Sequence, residues 1–407
     1  MSSRKRSVQV YVDTAAAEPV LMGTLYAQSG GNQETFSFAY DPEWLEREQT
    51  VAFNPDLRFN NSGLFLDSSP DRWGRLLMQR RENLRARQEG RKPRRLTAWD
   101  YLLGVRDETR LGALRFRSPE GGEFLDGDRH LAAPPITSVR ELRAASRGFE
   151  RLIDEEDNPE YARWLNQLLA PGSSLGGARP KASVRDEKGA LCIAKFPSRT
   201  DTRDMAAWEM LAHRLGEKCG IQLPKARLLD NGEQDQSTFL VNRFDRTVNG
   251  GRLAFVSAMT LTQRSEGYTG ASYLELVELL QRQGANTKAD THQLYRRIVF
   301  STLIHNTDDH LRNHGFFVED RGVRLSPAFD INPSVERDDL VLAINETETA
   351  CDVDIARSAH KMYALSLGEA DQLIADVLRA VKSWRNEAGA LGIRKSEQEQ
   401  MASAFPA

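Results

Sequence analysis

One polar segment constrains this chain of 407 residues more than any other part of it. Residues 305–314 read HNTDDHLRNH, and they follow a stretch with an apolar face at helical spacing. After them, the apolar runs 316–318 and 323–325 flank a turn that contains Gly322, which is typical of a β-hairpin. The segment is therefore predicted to be a polar loop between a helix and a hairpin, and it carries the residue types of a catalytic or metal site.

The spacing inside this loop points to phosphoryl transfer. Asp308 and Asn313 reproduce the D-x-x-x-x-N spacing of a kinase catalytic loop, in which the aspartate accepts the substrate hydroxyl proton and the asparagine holds magnesium. Asp330 follows the hairpin, where a second metal-binding carboxylate is needed. The chemistry requires such a set, because metals must neutralise the phosphate oxygens while one base orients the attacking hydroxyl.

Elements upstream of the loop appear in the chain order of a two-lobed kinase. A glycine-rich segment, 171–181, precedes a short apolar run, ALCIAKF, that predicts a buried strand with Lys195 near its end. Residues 202–219 have the periodicity of an amphipathic helix that includes Glu209, and a further strand runs into residues 242–246. Each piece is common by itself, but the order of all of them favours a kinase.

Two other interpretations fit the same residues. In the first, the loop holds a transition metal in a phosphohydrolase-like site, since histidine and carboxylate suit zinc, manganese or iron. Its ligands would be His305, Asp308, Asp309, His310 and His314. In the second, the chain keeps a kinase fold but acts only as an interaction module.

Composition excludes several other classes. A hydrophobic content of 40% in a chain of this length predicts two or three cores, and a net charge of −3 gives no global field for nucleic acid or membranes. Three cysteines without a CxxC pair argue against disulfides and cysteine zinc sites. With no predicted signal peptide or membrane span, we expect a cytoplasmic protein. The basic stretch 72–95 predicts a solvated helix, with a docking face for DNA or an acidic partner as the alternative.

The predicted architecture is an α+β, two-lobed, protein-kinase-like fold. It has a mixed α/β N-terminal domain at 1–118, a small lobe with the glycine loop and the ATP lysine at 137–243, and a mostly helical large lobe at 244–392. Glycines and prolines between 118 and 135 predict the loop that separates the first domain from the rest. Residues 393–407 are predicted to be a frayed polar tail.

Five motifs together resemble the HipA toxin kinases of bacterial type II toxin-antitoxin systems. They are SLGGARPK at 174–181, AKFP at 194–197, VNRFDR at 241–246, NTDDHLRN at 306–313 and LSPAFD at 325–330. Two N-terminal stretches, FAYD at 38–41 with Trp44 and SPDRWGR at 69–75, also resemble that family, though less specifically.

The resemblance implies a serine/threonine kinase with ATP and Mg²⁺ as cofactors and Asp308 as the catalytic base. It implies that Asn313 and Asp330 bind magnesium, and that Ser174, next to Ser173, is the autophosphorylated residue, making the chain a phosphoprotein. The nucleotide-binding residues implied are Gly176, Gly177, Ala178, Arg179, Pro180, Lys181, Lys195, Asn242, Arg243, Phe244, His310, Leu311, Arg312, Asn313, Phe329, Asp330, Ile331 and Asn332.

The resemblance also implies partners. The family pairs with a small helix-turn-helix antitoxin, HipB-like, and through it joins operator DNA, for which the basic stretch would be an auxiliary contact. The implied substrate class is an aminoacyl-tRNA synthetase such as glutamyl-tRNA synthetase, whose phosphorylation would arrest growth and lead to persistence.

Overall fold

A computed structural model describes residues 5–15, 18–30, 33–47, 63–127, 133–169, 177–229 and 236–406. The fold divides into two compact units. Unit 1 comprises residues 1–200 together with 245–255, and unit 2 comprises 201–244 and 256–407. This division differs from the predicted lobes, because the helix and strands between 205 and 242 belong to the second unit and no division falls at 118–135.

Unit 1 opens with a four-stranded antiparallel sheet in the order β3-β2-β1-β4. Its strands are β1 (Lys5–Val12), β2 (Val20–Gly30), β3 (Gln33–Tyr40) and β4 (Leu114–Arg117). Val8, Val10 and Val12 are all buried, as the alternating pattern of this strand predicted.

The described part of unit 1 also contains α-helices. They are α1 (Pro42–Leu45), α2 (Gly63–Asp67), α3 (Arg72–Gln88), α4 (Ala98–Leu103), α5 (Val139–Arg151) and α6 (Pro159–Leu169). Helices α3, α5 and α6 share a hydrophobic core around Trp73, Phe149 and Tyr161. The Trp73 ring meets Phe149 edge-on at 5.8 Å between centroids, and Phe149 stacks on Tyr161 at 5.4 Å. This core fixes the first turn of α3, which contains Trp73.

The basic stretch 72–95 is helical over Arg72–Gln88 and not over its last seven residues, and several of its charges are neutralised within the chain. Arg87 lies 2.6 Å from Glu156 and 2.8 Å from Asp157, and Arg80 also contacts Glu156. Farther along, Arg91 pairs with Glu82 at 2.5 Å, and Arg94 pairs with Asp100 at 2.6 Å. These internal partners favour the solvated helix over the docking face, since a paired arginine presents less positive potential to DNA.

Unit 1 ends with an antiparallel hairpin and a returning segment. The hairpin joins β5 (Lys181–Arg185) to β6 (Leu191–Lys195), as predicted for the second of these strands. Residues 245–255 return to the unit, where the Gly112 N–H donates to Asp245 Oδ2 at 2.8 Å and Arg252 donates to the carbonyls of Arg110 and Gly112. Burial lowers the pKa of the fully enclosed Arg110 to about 9.

Unit 2 is mostly helical. It contains α7 (Met205–Lys218), the antiparallel pair β7 (Ala226–Leu229) and β8 (Thr238–Asn242), and a three-stranded sheet of β9 (Phe255–Ser257), β10 (Gly315–Glu319) and β11 (Gly322–Leu325). The later helices are α8 (Ala258–Leu261), α9 (Tyr273–Gln283), α10 (Thr287–Leu303), α11 (Val353–Ser358), α12 (Leu367–Val381), α13 (Trp384–Ala390) and α14 (Lys395–Gln400). The predicted hairpin is β10–β11, and α10 is the helix predicted before the polar loop.

The prediction of a frayed tail is wrong. Met401 and Ala404 are fully buried, and the Phe405 ring stacks on Trp384 at 4.5 Å between centroids. Trp384 itself begins α13. The tail was missed because a few apolar residues among many polar ones form no periodic pattern, although together they fill one site in the core.

Among the residues that the structure describes, no helix combines the length and the apolar character needed to cross a membrane.

Candidate active site

The polar segment 305–314 begins where α10 ends, and its two adjacent aspartates have opposite environments. Asp308 is exposed, whereas Asp309 is buried. His305 adopts a left-handed backbone with φ of 47°, which residues other than glycine rarely adopt and which is commonest at functional sites. The backbone turn at the start of the segment thus presents Asp308 to solvent and directs Asp309 inward.

Asp309 is held by a buried network. Its Oδ2 accepts a hydrogen bond from Tyr273 Oη at 2.6 Å and another from Ser301 Oγ at 3.3 Å, and its Oδ1 lies 2.9 Å from His314 Nε2. Burial by itself would raise the pKa of this carboxyl, but His314 and the Tyr273 hydrogen bond outweigh it, and the pKa of Asp309 is lowered. Asp309 therefore remains an anion, and its contacts attach the loop to α9, to α10 and to the last residue of the loop, His314.

A second set of hydrogen bonds joins the start of the loop to the segment that follows the hairpin. Asn306 Nδ2 donates to Ser301 Oγ at 3.2 Å, while its Oδ1 accepts from the Asn332 N–H at 3.0 Å. The Ser334 N–H donates to the His305 carbonyl at 3.0 Å. Residues 329–332, predicted to bind nucleotide and metal, are in this way attached to the loop that carries Asp308.

Asp330 and its neighbour Phe329 lie where the segment 329–332 contacts Phe244, another residue predicted to bind nucleotide. Asp330 has a left-handed backbone with φ of 58°, the second such residue in this region after His305. The Phe329 ring stacks on Phe244 at 5.1 Å between centroids, and Phe244 also meets Phe317 at 6.1 Å. Phe244, which is predicted to bind nucleotide, and the segment around Asp330 are therefore neighbours within unit 2.

Asn313 has the environment expected of a magnesium ligand. It closes a short turn, Leu311–Asn313, through its N–H to the His310 carbonyl at 2.8 Å. Its side chain is buried, and among the described residues no donor contacts its Oδ1. A buried acceptor without a donor is costly unless something else binds it, and magnesium prefers oxygen ligands such as amide and carboxylate oxygens. Asn313, and Asp330 as a carboxylate, thus fit the predicted metal.

The two predicted phosphate lysines occupy opposite positions in the β5–β6 hairpin of unit 1. Lys181 pairs in register with Lys195, so both side chains lie on the same face of the hairpin. Lys181 is buried, and its Nζ lies 2.9 Å from Asp71 Oδ2, so its direct contact with phosphate stays a prediction. Gly177 has φ of 100°, as a glycine turn requires, while Ser173, Ser174 and Gly176 lie outside the described residues.

The other predicted nucleotide residues are distributed over both units. Ala178 is exposed, Arg179 is half-buried and Pro180 is buried next to β5, where its carbonyl accepts from the Phe196 N–H at 2.9 Å. In unit 2, the Asn242 N–H donates to the Lys225 carbonyl, Arg243, Leu311 and Ile331 are buried, and Arg312 lies 3.6 Å from Glu266. His310 and Asn332 are half-buried.

Comparison with known proteins identifies the family. A family model described as HipA-like C-terminal domain matches residues 173–385, which is just over half of the chain. The chain belongs to this HipA-like family. The matched range includes every residue of the candidate site in unit 2 as well as both lysines of the hairpin.

Curated relatives of this HipA-like chain match over part of their length. "Putative kinase Y4dM" of Sinorhizobium fredii is 29% identical over 203 residues, which cover 46% of this chain and 46% of that protein. A "Putative kinase" of Haemophilus influenzae is 27% identical over 214 residues, 46% of this chain and 62% of that protein. The chain thus spans about half to two thirds of the length of these relatives.

A solved structure extends the HipA-like assignment to the whole fold. The Shewanella oneidensis MR-1 toxin-antitoxin complex of HipA, HipB and operator DNA has a chain that is 17% identical, with a TM-score of 0.64. The match covers 98% of this chain and 95% of that one. The predicted α+β, two-lobed, kinase-like fold is thereby confirmed.

Within the described residues, the structure contains no cluster of metal ligands of the kind that the phosphohydrolase interpretation requires. Within the described ranges, no three or more His, Cys, Asp or Glu side chains are grouped so that they could hold a metal ion. Two of the proposed ligands, Asp309 and His314, instead pair with each other in the interior. Burial lowers the pKa of a third, His305, with Asp338 opposing the shift from 3.8 Å.

Sequence reasoning missed two groups that hold the site. Asp309 was considered only as a metal ligand, and Tyr273 was not considered, because nothing in a sequence reveals that residues 36 positions apart share a hydrogen bond. The motif SPDRWGR was noted only as a resemblance, whereas its Asp71 and Trp73 contact Lys181. In the sequence, Asp71 could have been noticed as an aspartate just before the start of a helix, the usual position of an N-cap.

Proposed function

We propose that this chain is an ATP- and magnesium-dependent kinase that phosphorylates serine or threonine in a protein. The observation that carries the proposal is the arrangement of the loop 305–314. The exposed Asp308 stands five residues before Asn313, whose buried Oδ1 has no donor among the described residues, and hydrogen bonds attach the Asp330 segment to the same loop.

Each residue has a role that its environment suits. Asp308 is exposed, so it can accept the proton of an incoming hydroxyl group from another protein. Asn313 and Asp330 would hold magnesium, which when bound neutralises the charge that develops on the phosphate oxygens. The Phe244 and Phe329 rings offer an apolar surface next to the metal-binding segment, as a hinge for a nucleotide base would.

The decisive experiment is transfer of radiolabelled phosphate from ATP by the purified chain with magnesium. We expect incorporation of label in the wild type and a decrease of about 10²- to 10⁴-fold in Asp308→Asn, the usual effect of losing a catalytic base. Asp320→Asn, in the exposed turn of the hairpin, is the matched control and should keep full activity. Label that persists at the wild-type rate in Asp308→Asn would refute the assignment of the base.

Two measurements separate the remaining alternatives. Phosphoamino acid analysis of the labelled protein should give phosphoserine or phosphothreonine, and peptide mass spectrometry should locate autophosphorylation at Ser174 rather than Ser173. Metal analysis should find exchangeable magnesium only, whereas tightly held zinc, iron or manganese would support the phosphohydrolase. If the wild type neither transfers phosphate nor binds nucleotide, the remaining interpretation is that the chain acts only as an interaction module.

The partners we propose follow from the family. The Shewanella relative was solved with HipB and operator DNA, and this motivates a helix-turn-helix antitoxin as partner here, with DNA bound through it. Size-exclusion chromatography of the chain co-expressed with such a protein should give one complex that shifts operator DNA. For the substrate we propose an aminoacyl-tRNA synthetase, and purified glutamyl-tRNA synthetase should be labelled and lose aminoacylation activity if it is the target.

A further inference from the structure

The first turn of α3 contacts Lys181, the residue that ends the predicted glycine loop. The two oxygens of Asp71 have separate partners: Oδ1 accepts the Gly74 N–H at 2.6 Å and caps the helix, while Oδ2 lies 2.9 Å from Lys181 Nζ. The side chains of Asp71 and Lys181 are 1% and 2% exposed. Because the carboxylate accepts from the helix on one side and from the lysine on the other, its position determines that of the ammonium group.

Trp73, two residues farther on, contacts the backbone of the same lysine. Its indole Nε1 donates to the Lys181 carbonyl at 3.1 Å. Its ring belongs to the core that includes Leu165 and Leu168 of α6, the helix that ends at Leu169. Trp73 thus holds the backbone of Lys181 through its indole N–H, while its ring is anchored in the core of α3, α5 and α6.

The position of Lys181 in the hairpin gives these contacts a consequence for nucleotide binding. Lys181 and Lys195 are directly opposite each other, and like charges on one face of a strand pair repel. Asp71 neutralises Lys181 at this place. A Cβ atom on Gly177 would lie 3.1 Å from Lys181 Nζ, so the ammonium also sits against the backbone of the loop.

A buried ion pair contributes little net stability, because removing both charges from water costs about as much as their attraction returns. What such a pair does provide is a defined geometry. The Asp71–Lys181 pair is therefore suited to placing the Lys181 ammonium group.

From these contacts we infer that Asp71 and Trp73 are positioning residues of the nucleotide site, so that the N-terminal motif SPDRWGR sets the position of Lys181 and of its pairing with Lys195. Neither residue needs to touch ATP. The inference rests on the proposed function, and on the nucleotide-binding role that the family resemblance implies for Lys181 and Lys195.

The test compares Trp73→Phe with Trp164→Phe in the full chain. Both substitutions remove an indole from the same helical core, but the first alone removes the hydrogen bond to Lys181. We expect Trp73→Phe to raise the KM for ATP and the Kd of a non-hydrolysable ATP analogue by roughly three- to ten-fold, the effect of one lost hydrogen bond. Trp164→Phe should change neither constant.

Kinetics distinguish positioning from simple loss of structure. A purely structural role would lower the active fraction, which reduces the apparent kcat and leaves the KM for ATP unchanged. Asp71→Ser keeps a helix-capping oxygen but removes the charge, so it should raise the KM for ATP more than Trp73→Phe does. Asp41→Ser, at the start of α1, is the matched control for the cap.

The outcomes separate the inference from the function on which it rests. If the wild type binds the analogue and transfers phosphate, while Trp73→Phe and Asp71→Ser retain its KM and Kd, the positioning role is wrong and the kinase stands. If the wild type itself fails to bind the analogue by titration calorimetry, both are overturned. A raised KM in the two variants, with normal values in the two controls, establishes the inference.

Discussion

The polar loop 305–314 and the predicted phosphate lysine Lys181 are held in different ways. Asp309 is anchored by residues of its own unit, and its partner His314 is only five residues away. Lys181 is anchored by residues 110 and 108 positions earlier in the chain, Asp71 and Trp73. The loop 305–314 therefore depends mostly on contacts within its own unit, whereas the position of Lys181 depends on residues more than 100 positions earlier in unit 1.

The largest expected effect comes from removing the Asp309 carboxylate, which holds the loop 305–314. Asp309→Ala leaves His314 and the Tyr273 hydroxyl buried without their partner, and we expect a loss of about 3–5 kcal/mol in the free energy of unfolding. Asp308→Ala, its exposed neighbour, should cost less than about 0.5 kcal/mol. Urea denaturation of the two variants measures both.

Hydrogen exchange of Asp309→Ala then tests whether the two anchors are independent. Protection should fall in the peptides around 297–316 and stay unchanged in β5 and β6. A loss of protection that is as large in the β5–β6 hairpin would show that the local and the long-range anchor act as one.

A smaller effect is expected from one hydrogen bond of the same network. Tyr273→Phe removes the 2.6 Å bond to Asp309 but keeps the ring, and a bond to a charged group contributes about 1.5–3 kcal/mol. Tyr268→Phe, on a more exposed ring, is the control. If Tyr273→Phe were as stable as the wild type, His314 and Ser301 would suffice to hold Asp309.

The lowered pKa of Asp309 predicts a pH dependence with a definite sign. An unfolded aspartate has a pKa near 3.9, so the stabilisation is complete above about pH 4 and is lost as the pH falls through the lower pKa of the folded state. Each unit of lowering corresponds to about 1.4 kcal/mol. Thermal unfolding at pH 7 and pH 3 should therefore show a smaller loss of stability in Asp309→Asn than in the wild type.

The smallest effect is expected on the surface of unit 1. Arg87→Gln breaks ion pairs with Glu156 and with the almost fully exposed Asp157, and exposed pairs contribute only about 0–1 kcal/mol. Chemical denaturation should detect little change. A loss comparable to that of Asp309→Ala would mean that exposed pairs hold unit 1 as strongly as buried ones hold the loop.

The same comparison explains what the sequence could and could not predict. The hairpin β10–β11, the strand with Lys195 and the helix before the loop were predicted, because their apolar residues repeat at regular intervals. The spacing of Asp308 and Asn313 was also visible, because both residues lie in one short segment. Local patterns of this kind need no knowledge of the fold.

Long-range contacts were not predictable in this way. The pairing of Asp71 with Lys181 depends on how α3 packs against α5 and α6, and the burial of Phe405 depends on the position of Trp384. The opposition of Lys181 and Lys195 required the register of the hairpin, which the sequence did not specify. These contacts come from tertiary packing, and they hold the parts of the site that local patterns left separate.

The aromatic cluster at the carboxy-terminal end offers a built-in optical probe. Phe405 packs against both Trp384 and Trp208, at 4.5 and 6.2 Å between ring centroids, and Trp208 is fully enclosed. Of the six tryptophans, these two belong to unit 2 and the other four to unit 1. Replacing the four with phenylalanine would leave an emission spectrum that reports on the last residues of the chain, and a red shift would signal their release.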